Sequence, residues 1–267
     1  MKCVWTTLIP AVVISLSSHL PGQTTHEPSD TLLAGVTARG RLLAAYDRAA
    51  WHGTDAFLAL KPALTDANSM LARQQPDGHW IVDFGRLTAA RDTLYLVYEA
   101  VEAGRPDSFT ARKLDPPTPV LGDERLAAVA LHTSLDDFGT QQRAYNSYVL
   151  PRDDGKFWVF FLPAPTNELL YPLGADVRYL VSSDGRQILE KHPMHHALLN
   201  MALPDSALYG LNTVLVDDVP QESDVFLTLT RTPHRPELVA TAHYDYDIAI
   251  DGSITWRLGQ RSDKTHQ

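Results

Sequence analysis

The stretch HYDYDIAIDGSITWRL, residues 243–258, carries the pattern that decides the fold. Its apolar residues alternate with polar ones on both sides of an Asp-Gly pair: Tyr244, Tyr246, Ile248, Ile250, Ile254, Trp256 and Leu258. Strict alternation is typical of a half-buried β-strand, and Asp-Gly supplies the positive φ that a tight hairpin requires. The stretch therefore predicts two antiparallel strands that share one apolar face.

The register of this hairpin follows from the same alternation. Cross-strand partners lie on one face of a sheet, so an odd-length loop is needed to keep both apolar sets together. A three-residue loop at 250–252 places Arg257 opposite Asp245, and the alternative loop at 251–253 places it opposite Asp247. In either register Arg257 meets a carboxylate.

Three further Asp-Gly pairs each lead into a β-type run: Asp77-Gly78 before HWIVDF, Asp154-Gly155 before KFWVFF, and Asp184-Gly185 before RQILEK. No βαβ rhythm and no repeat of about 20–50 residues is present. The predicted fold class is α+β, with a helical N-terminal part followed by antiparallel sheets built from hairpins.

Helices are predicted mainly before residue 76. The first is capped at Ser29-Asp30 and ended by Gly53, a short second helix is stopped by Pro62, and a third covers 65–73. Two more are predicted at 123–135 and, after Pro193, at 193–201.

Strands are predicted for the remaining apolar runs: 79–87, 93–101, 145–150, 156–162, 176–182, 186–191, 212–216, 224–230, 238–250 and 254–258. In the run at 156–162 the aromatic residues fall on both faces, which favours a strand covered on both sides over an aromatic ligand platform.

The chain is accordingly predicted to comprise five segments. These are a signal peptide at 1–22, a helical region with one hairpin at 23–104, a Pro-rich linker or crossover at 105–122, a β-rich α+β region at 123–258, and a polar tail at 259–267.

Residues 1–22 have the composition of a secretory signal. One positive charge at Lys2 precedes an apolar run from Cys3 to Leu16, and small and polar residues follow. The run is shorter than the roughly 20 residues of a membrane span, so we expect an exported protein, periplasmic or secreted. An uncleaved anchor or a buried helix is the alternative. Cys3 is the only cysteine, so a cleaved chain would lack disulfides, thiolate nucleophiles and cysteine-ligated zinc.

Charge and motifs exclude several function classes. The formal net charge is −9 and no run of Lys or Arg is present, so nucleic acid is not an expected partner. No membrane span is expected after signal cleavage. The sequence contains no G-x-S-x-G, S-x-x-K, P-loop, G-x-G-x-x-G or HExxH motif, and it implies no cofactor.

One group of residues is a candidate metal site. On a single strand, His243, Asp245 and Asp247 would project from one face, and an imidazole with two carboxylates suits a divalent cation that activates water. The competing interpretation is a solvated strand face, because the opposite face is apolar and Arg257 meets one of these carboxylates.

The segments at 171–189, 222–231 and 246–254 resemble a group of uncharacterised exported bacterial proteins. The resemblance covers mainly the C-terminal half and brings no established activity. It implies an exported bacterial protein.

The preferred functional hypothesis is a non-catalytic envelope protein that binds an unknown ligand or an envelope partner, because catalytic motifs are missing. A metal-assisted hydrolase using His243, Asp245 and Asp247 is the first alternative, and a structural or assembly protein is the second. A binding protein should have a closed apolar pocket with few polar groups, whereas the hydrolase needs the three side chains in a cleft with Arg257 elsewhere.

Overall fold

The computed structural model describes residues 27–259, except 106, 168, 169, 203 and 215 and the side chain at 64. The signal-peptide prediction at 1–22 and residues 260–267 of the predicted polar tail lie outside the described residues. The fold is α+β, as predicted.

Three helices lie within the described part: α1 (Asp30–Ala59), α2 (Asp123–Phe138) and α3 (Glu222–Thr230). Strands β1 to β4 form the first sheet in chain order: Ser69–Gln74, Trp80–Leu87, Leu94–Glu102 and Phe109–Val120.

The second sheet has the order β5-β6-β8-β9: Tyr145–Pro151, Phe157–Pro163, Val177–Val181 and Ile188–Pro193. A small ribbon pairs β7 (Tyr171–Leu173) with β10 (Leu199–Met201). The third sheet has the order β11 to β14: Gly210–Thr213, Glu237–Ala240, Tyr244–Ile248 and Ile254–Leu258. All of these pairings are antiparallel except β11 with β12, which is parallel.

The hairpin signals are confirmed. All four Asp-Gly glycines have positive φ, between 74° and 91°. In the last hairpin Tyr246 lies opposite Trp256 and Asp245 opposite Arg257, which is the register predicted for a loop at 250–252. Asp-Gly turns therefore join β1 to β2, β5 to β6, β8 to β9 and β13 to β14.

Helices α1 and α2 cover opposite faces of the first two sheets. In β6, Phe160 belongs to the apolar cluster under α1, whereas Val159 and Phe161 belong to the cluster around α2. The strand is buried on both faces, as its aromatic run predicts. A third cluster joins the start of α1 and α3 to the third sheet.

Helix α1 is longer than predicted because Gly53 does not end it. A Cβ at Gly53 would lie 2.5 Å from Val82 Cγ2, so the glycine allows the helix to approach β2 closely. The predicted helix end at Gly53 and the separate second helix are therefore wrong, and α1 runs to Ala59.

The Pro-rich segment is a strand and not a linker. β4 pairs with β3 along its length, with a register shift that places residues 114–117 between the pairs Leu96–Thr118 and Tyr98–Lys113. Proline is tolerated here because β4 is an edge strand and the shift accommodates the missing donors.

Three other assignments are wrong for identifiable reasons. Residues 69–74 form β1 and not a helix, because Leu71 and Ala72 are buried in different clusters on opposite faces. The region 193–201 contains the end of β9 and β10 instead of a helix. Residues 224–230 form α3 and not a strand, because Gln221 and Asp224 make a reciprocal capping box.

The close approach of α1 and α3 generates a test. A Cβ at Gly40 would lie 2.5 Å from Val225 Cβ and 2.9 Å from the Glu222 carbonyl oxygen. We expect Gly40→Ala to lower the free energy of unfolding by about 1–3 kcal/mol, measured by urea denaturation.

Gly35→Ala is the matched control on the same helix, because its new Cβ would meet no backbone atom of another element and would lie 3.1 Å from Arg39 Nη1. We expect it to be neutral or to raise stability by up to about 1 kcal/mol through helix propensity. Equal losses in both variants would contradict the packing argument.

Candidate functional site

A cleft of about 700 Å³ lies between α1, α3 and the second sheet. Trp51 and Thr54 of α1 line one wall, and Phe226 and Leu227 of α3 line another. Tyr148 of β5 belongs to both the cleft lining and the core cluster beneath α1. The lining of the cleft thus mixes apolar side chains with about as many polar ones. A depression of about 590 Å³ between the start of α1 and β14 is more open.

Local sequence explains the two helical walls. Asp47 lies three and four residues before Ala50 and Trp51, and Thr54 lies four and three residues after them, so the four lie on one face of α1. Four residues of α3 line the cleft at similar spacings: Ser223, Phe226, Leu227 and Thr230. The capping box at Gln221 fixes where this helix begins.

Aromatic side chains pack against one another beneath and beside the cleft. The Tyr148 ring meets Tyr46 edge-on at 5.5 Å between centroids and Phe226 at 5.8 Å. The Tyr46 hydroxyl accepts a 2.9 Å hydrogen bond from the Ala72 backbone N–H, and burial raises the pKa of Tyr46 to about 12. These contacts tie α1 to β1 and β5 beneath the cleft.

Asp47 is a partly desolvated carboxylate on the cleft lining. The Tyr148 hydroxyl donates a 2.7 Å hydrogen bond to its Oδ1. Burial raises the pKa of Asp47, and the hydrogen bond from Tyr148 offsets part of this rise. Within the described part of the chain, Asp47 forms no ion pair.

Asp176, the other acid of the cleft lining, belongs to a buried polar network. Its carboxylate lies 2.9 Å from His195 Nδ1, while His195 Nε2 lies 3.3 Å from Asp224 Oδ1 at the start of α3. Asn212 of β11 donates a 2.6 Å hydrogen bond to the same Asp224 oxygen. Burial lowers the pKa of His195, but Asp224 and Asp176 outweigh it and raise the value to about 10. His195 is therefore an imidazolium at neutral pH.

A buried ion-pair cluster holds the helices that flank the cleft. Glu222 has no solvent-exposed side-chain area, and its Oε1 lies 2.7 Å from Arg39 Nε and 2.8 Å from an Arg178 guanidinium nitrogen. The Arg178 guanidinium also lies over the Trp158 ring, 4.8 Å from its centroid. Glu222 thus links α3 to both α1 and β8.

The predicted metal residues do not share one strand face. The predicted strand 238–250 is divided by a turn, and His243 lies in that turn, where its Nδ1 is 2.6 Å from Asp218 Oδ2. Arg257 contacts both carboxylates, Asp247 at 2.8 Å and Asp245 at 3.6 Å.

These contacts correspond to the solvated-face interpretation, and the metal site stays a prediction. Within residues 27–259, apart from the gaps, no group of three or more His, Cys, Asp or Glu side chains could hold a metal ion.

The cleft residues were not identified from the sequence. Trp51 belongs to the apolar pattern of the first helix, yet 64% of its surface is exposed. The spacing of Asp47 and Trp51 by four residues is the one local signal, since it places a carboxylate and an indole on the same helical face. Asp176 and His195 carry no such signal, because only the tertiary structure brings them together.

The protonation of His195 predicts a pH dependence of stability. Its folded-state pKa of about 10 lies above the unfolded value of about 6.5. The stabilisation is therefore complete below about pH 6.5 and is lost as pH rises through about 10. We expect the difference in urea midpoint between the wild type and His195→Asn to shrink over this range. His79→Asn, at an exposed histidine, should not change the pH profile. A constant difference across the range would show that His195 is not a buried cation.

Thermal unfolding with EDTA or with added Zn²⁺, Mn²⁺ or Ca²⁺ tests the metal interpretation. The ion pairs of Arg257 lead us to expect no shift of the midpoint on metal addition. Asp245→Ala and Asp247→Ala should each change the free energy of unfolding by about 1 kcal/mol or less. A metal-dependent rise of a few degrees that both variants abolish would support a metal site instead.

Comparison with known proteins adds no assignment to this geometry. No family model, no curated protein and no solved structure matches the chain. Within the described part of the chain, none of the helices has both the length and the apolarity needed to cross a membrane.

Proposed function

We propose that this protein is a non-catalytic binding protein whose cleft between α1 and α3 holds an amphipathic small molecule. The observation that carries the proposal is the cleft itself. Its volume of about 700 Å³ falls within the range of ligand sites, about 300–1,000 Å³. Its lining mixes apolar side chains, which can bury the body of a ligand, with polar ones, which can orient it.

Two polar groups of the cleft lining, Ser223 and Asp176, are engaged by neighbouring side chains. Ser223 Oγ lies 3.9 Å from Met194 Sδ, and the Asp176 carboxylate is held by His195. Both ring nitrogens of His195 face polar side chains of the network. Neither Ser223 nor Asp176 is therefore arranged as a nucleophile with an adjacent free base.

We further propose that the protein acts outside the cytoplasm, in the periplasm or after secretion. The support for this is the signal-like composition of residues 1–22. An exported binding protein would meet small molecules or envelope components in that compartment.

A neutral apolar probe tests the cleft. We expect N-phenyl-1-naphthylamine to increase in fluorescence when it enters the cleft of the wild-type protein. Ser147→Trp introduces an indole at a cleft-lining position and should reduce this increase strongly. Trp51→Ala removes exposed apolar area from the wall and should weaken binding by several-fold.

The control is Leu121→Ala, which removes an equally exposed apolar side chain outside the cleft lining. Thermal unfolding of each variant confirms that it is folded. Probe binding that is unchanged in folded Ser147→Trp would refute the proposed function, and so would the absence of binding by both this probe and the octyl ligands described below.

A further inference from the structure

An acidic and an aromatic side chain stand side by side on the α1 wall of the cleft. Asp47 and Trp51 are one helical turn apart, and both line the cleft. The indole stacks on His52 with 5.1 Å between ring centroids, and about two thirds of the Trp51 surface stays accessible. An accessible aromatic ring beside a carboxylate can recognise an organic cation through cation–π attraction and charge complementarity.

The charged residues in the described lining of the cleft are all acidic. The described lining residues include Asp47 and Asp176 but no Lys, Arg or His. Asp176 shares the imidazolium of His195 with Asp224, at 2.9 Å and 3.3 Å. Asp47 has a neutral partner, the Tyr148 hydroxyl. Among the described residues Asp47 has no cationic partner, and this carboxylate lies one helical turn from the exposed indole of Trp51.

We infer that the cleft selects an organic ammonium ion, with the cationic head at Asp47 and Trp51 and an apolar tail along the wall formed by α3. This inference rests on the proposed binding function and names its ligand class. The head would supply the positive charge that Asp47 lacks, and a charge-assisted contact is stronger than a neutral one.

Other ligand classes fit less well. An anionic head would meet Asp47 without any basic side chain in the described lining to compensate it. A neutral head would leave the partly desolvated carboxylate with its single phenol partner. Electrostatic complementarity therefore favours a cation over both.

Three ligands with the same tail and different heads test the inference by isothermal titration calorimetry: octylammonium, 1-octanol and octanoate. We expect octylammonium to bind at least about tenfold more tightly than 1-octanol, and octanoate to bind most weakly. Asp47→Asn keeps an acceptor for Tyr148 and removes the charge. It should lower the affinity for octylammonium by about tenfold and leave 1-octanol unchanged.

Asp55→Asn is the matched control, since Asp55 is an exposed carboxylate of the same helix outside the cleft lining. It should leave all three affinities unchanged. Trp51→Leu keeps an apolar side chain but removes the π face, so it should weaken octylammonium several-fold more than 1-octanol.

The outcomes separate the two proposals. If 1-octanol binds as tightly as octylammonium, or if folded Asp47→Asn affects neither, the ammonium selectivity is wrong while the binding cleft stands. If N-phenyl-1-naphthylamine binds but no octyl ligand does, the ligand class is also wrong. If neither the naphthylamine nor any octyl ligand binds, the binding function itself fails.

Discussion

The fully buried carboxylate of Glu222 is the constraint on which the arrangement of the helices depends. Arg39 of α1 and Arg178 of β8 both contact it within 3 Å, so one group at the start of α3 fixes three elements. Two charges removed from water stabilise a fold only when their geometry and hydrogen bonding are good, and the loss of one partner leaves an uncompensated charge. Glycine at position 40 lets α1 come close enough to α3 for this contact. The helices that form the cleft walls are therefore held in place by the ion pairs of Glu222 as well as by apolar packing.

The sequence predicts the fold well where a turn requires a residue that tolerates positive φ. Each Asp-Gly pair needs a positive φ, and alternation on both sides then sets the strand faces, which is why the last hairpin was predicted down to its register. Prediction failed where one pattern fits two structures. Val225, Leu227 and Leu229 alternate like a strand, but the capping interaction of Gln221 with Asp224 selects a helix. A short apolar run such as 69–74 likewise suits a helix or a strand covered on both faces.

Most residues of the candidate site could not be predicted from the sequence. Polar residues spaced along one predicted strand suggested a metal site, but the chemistry of a carboxylate depends on what it faces, and Arg257 faces Asp245 and Asp247. The cleft is built from α1, from the loops and strands between 145 and 176, and from α3. Segments so distant in sequence meet only through tertiary packing. Within these segments, the one signal in the sequence is the four-residue spacing of Asp47 and Trp51, which places both side chains on one face of α1.

The prolines of β4 reduce the number of hydrogen-bond donors at one edge of the first sheet. Pro116, Pro117 and Pro119 have no backbone N–H, and β4 is the last strand of its sheet. Along this stretch the free edge offers fewer donors to an incoming strand, and the register shift beside it disturbs the regular ladder. The segment whose composition suggested a connector thus makes this edge a poor template for an added strand.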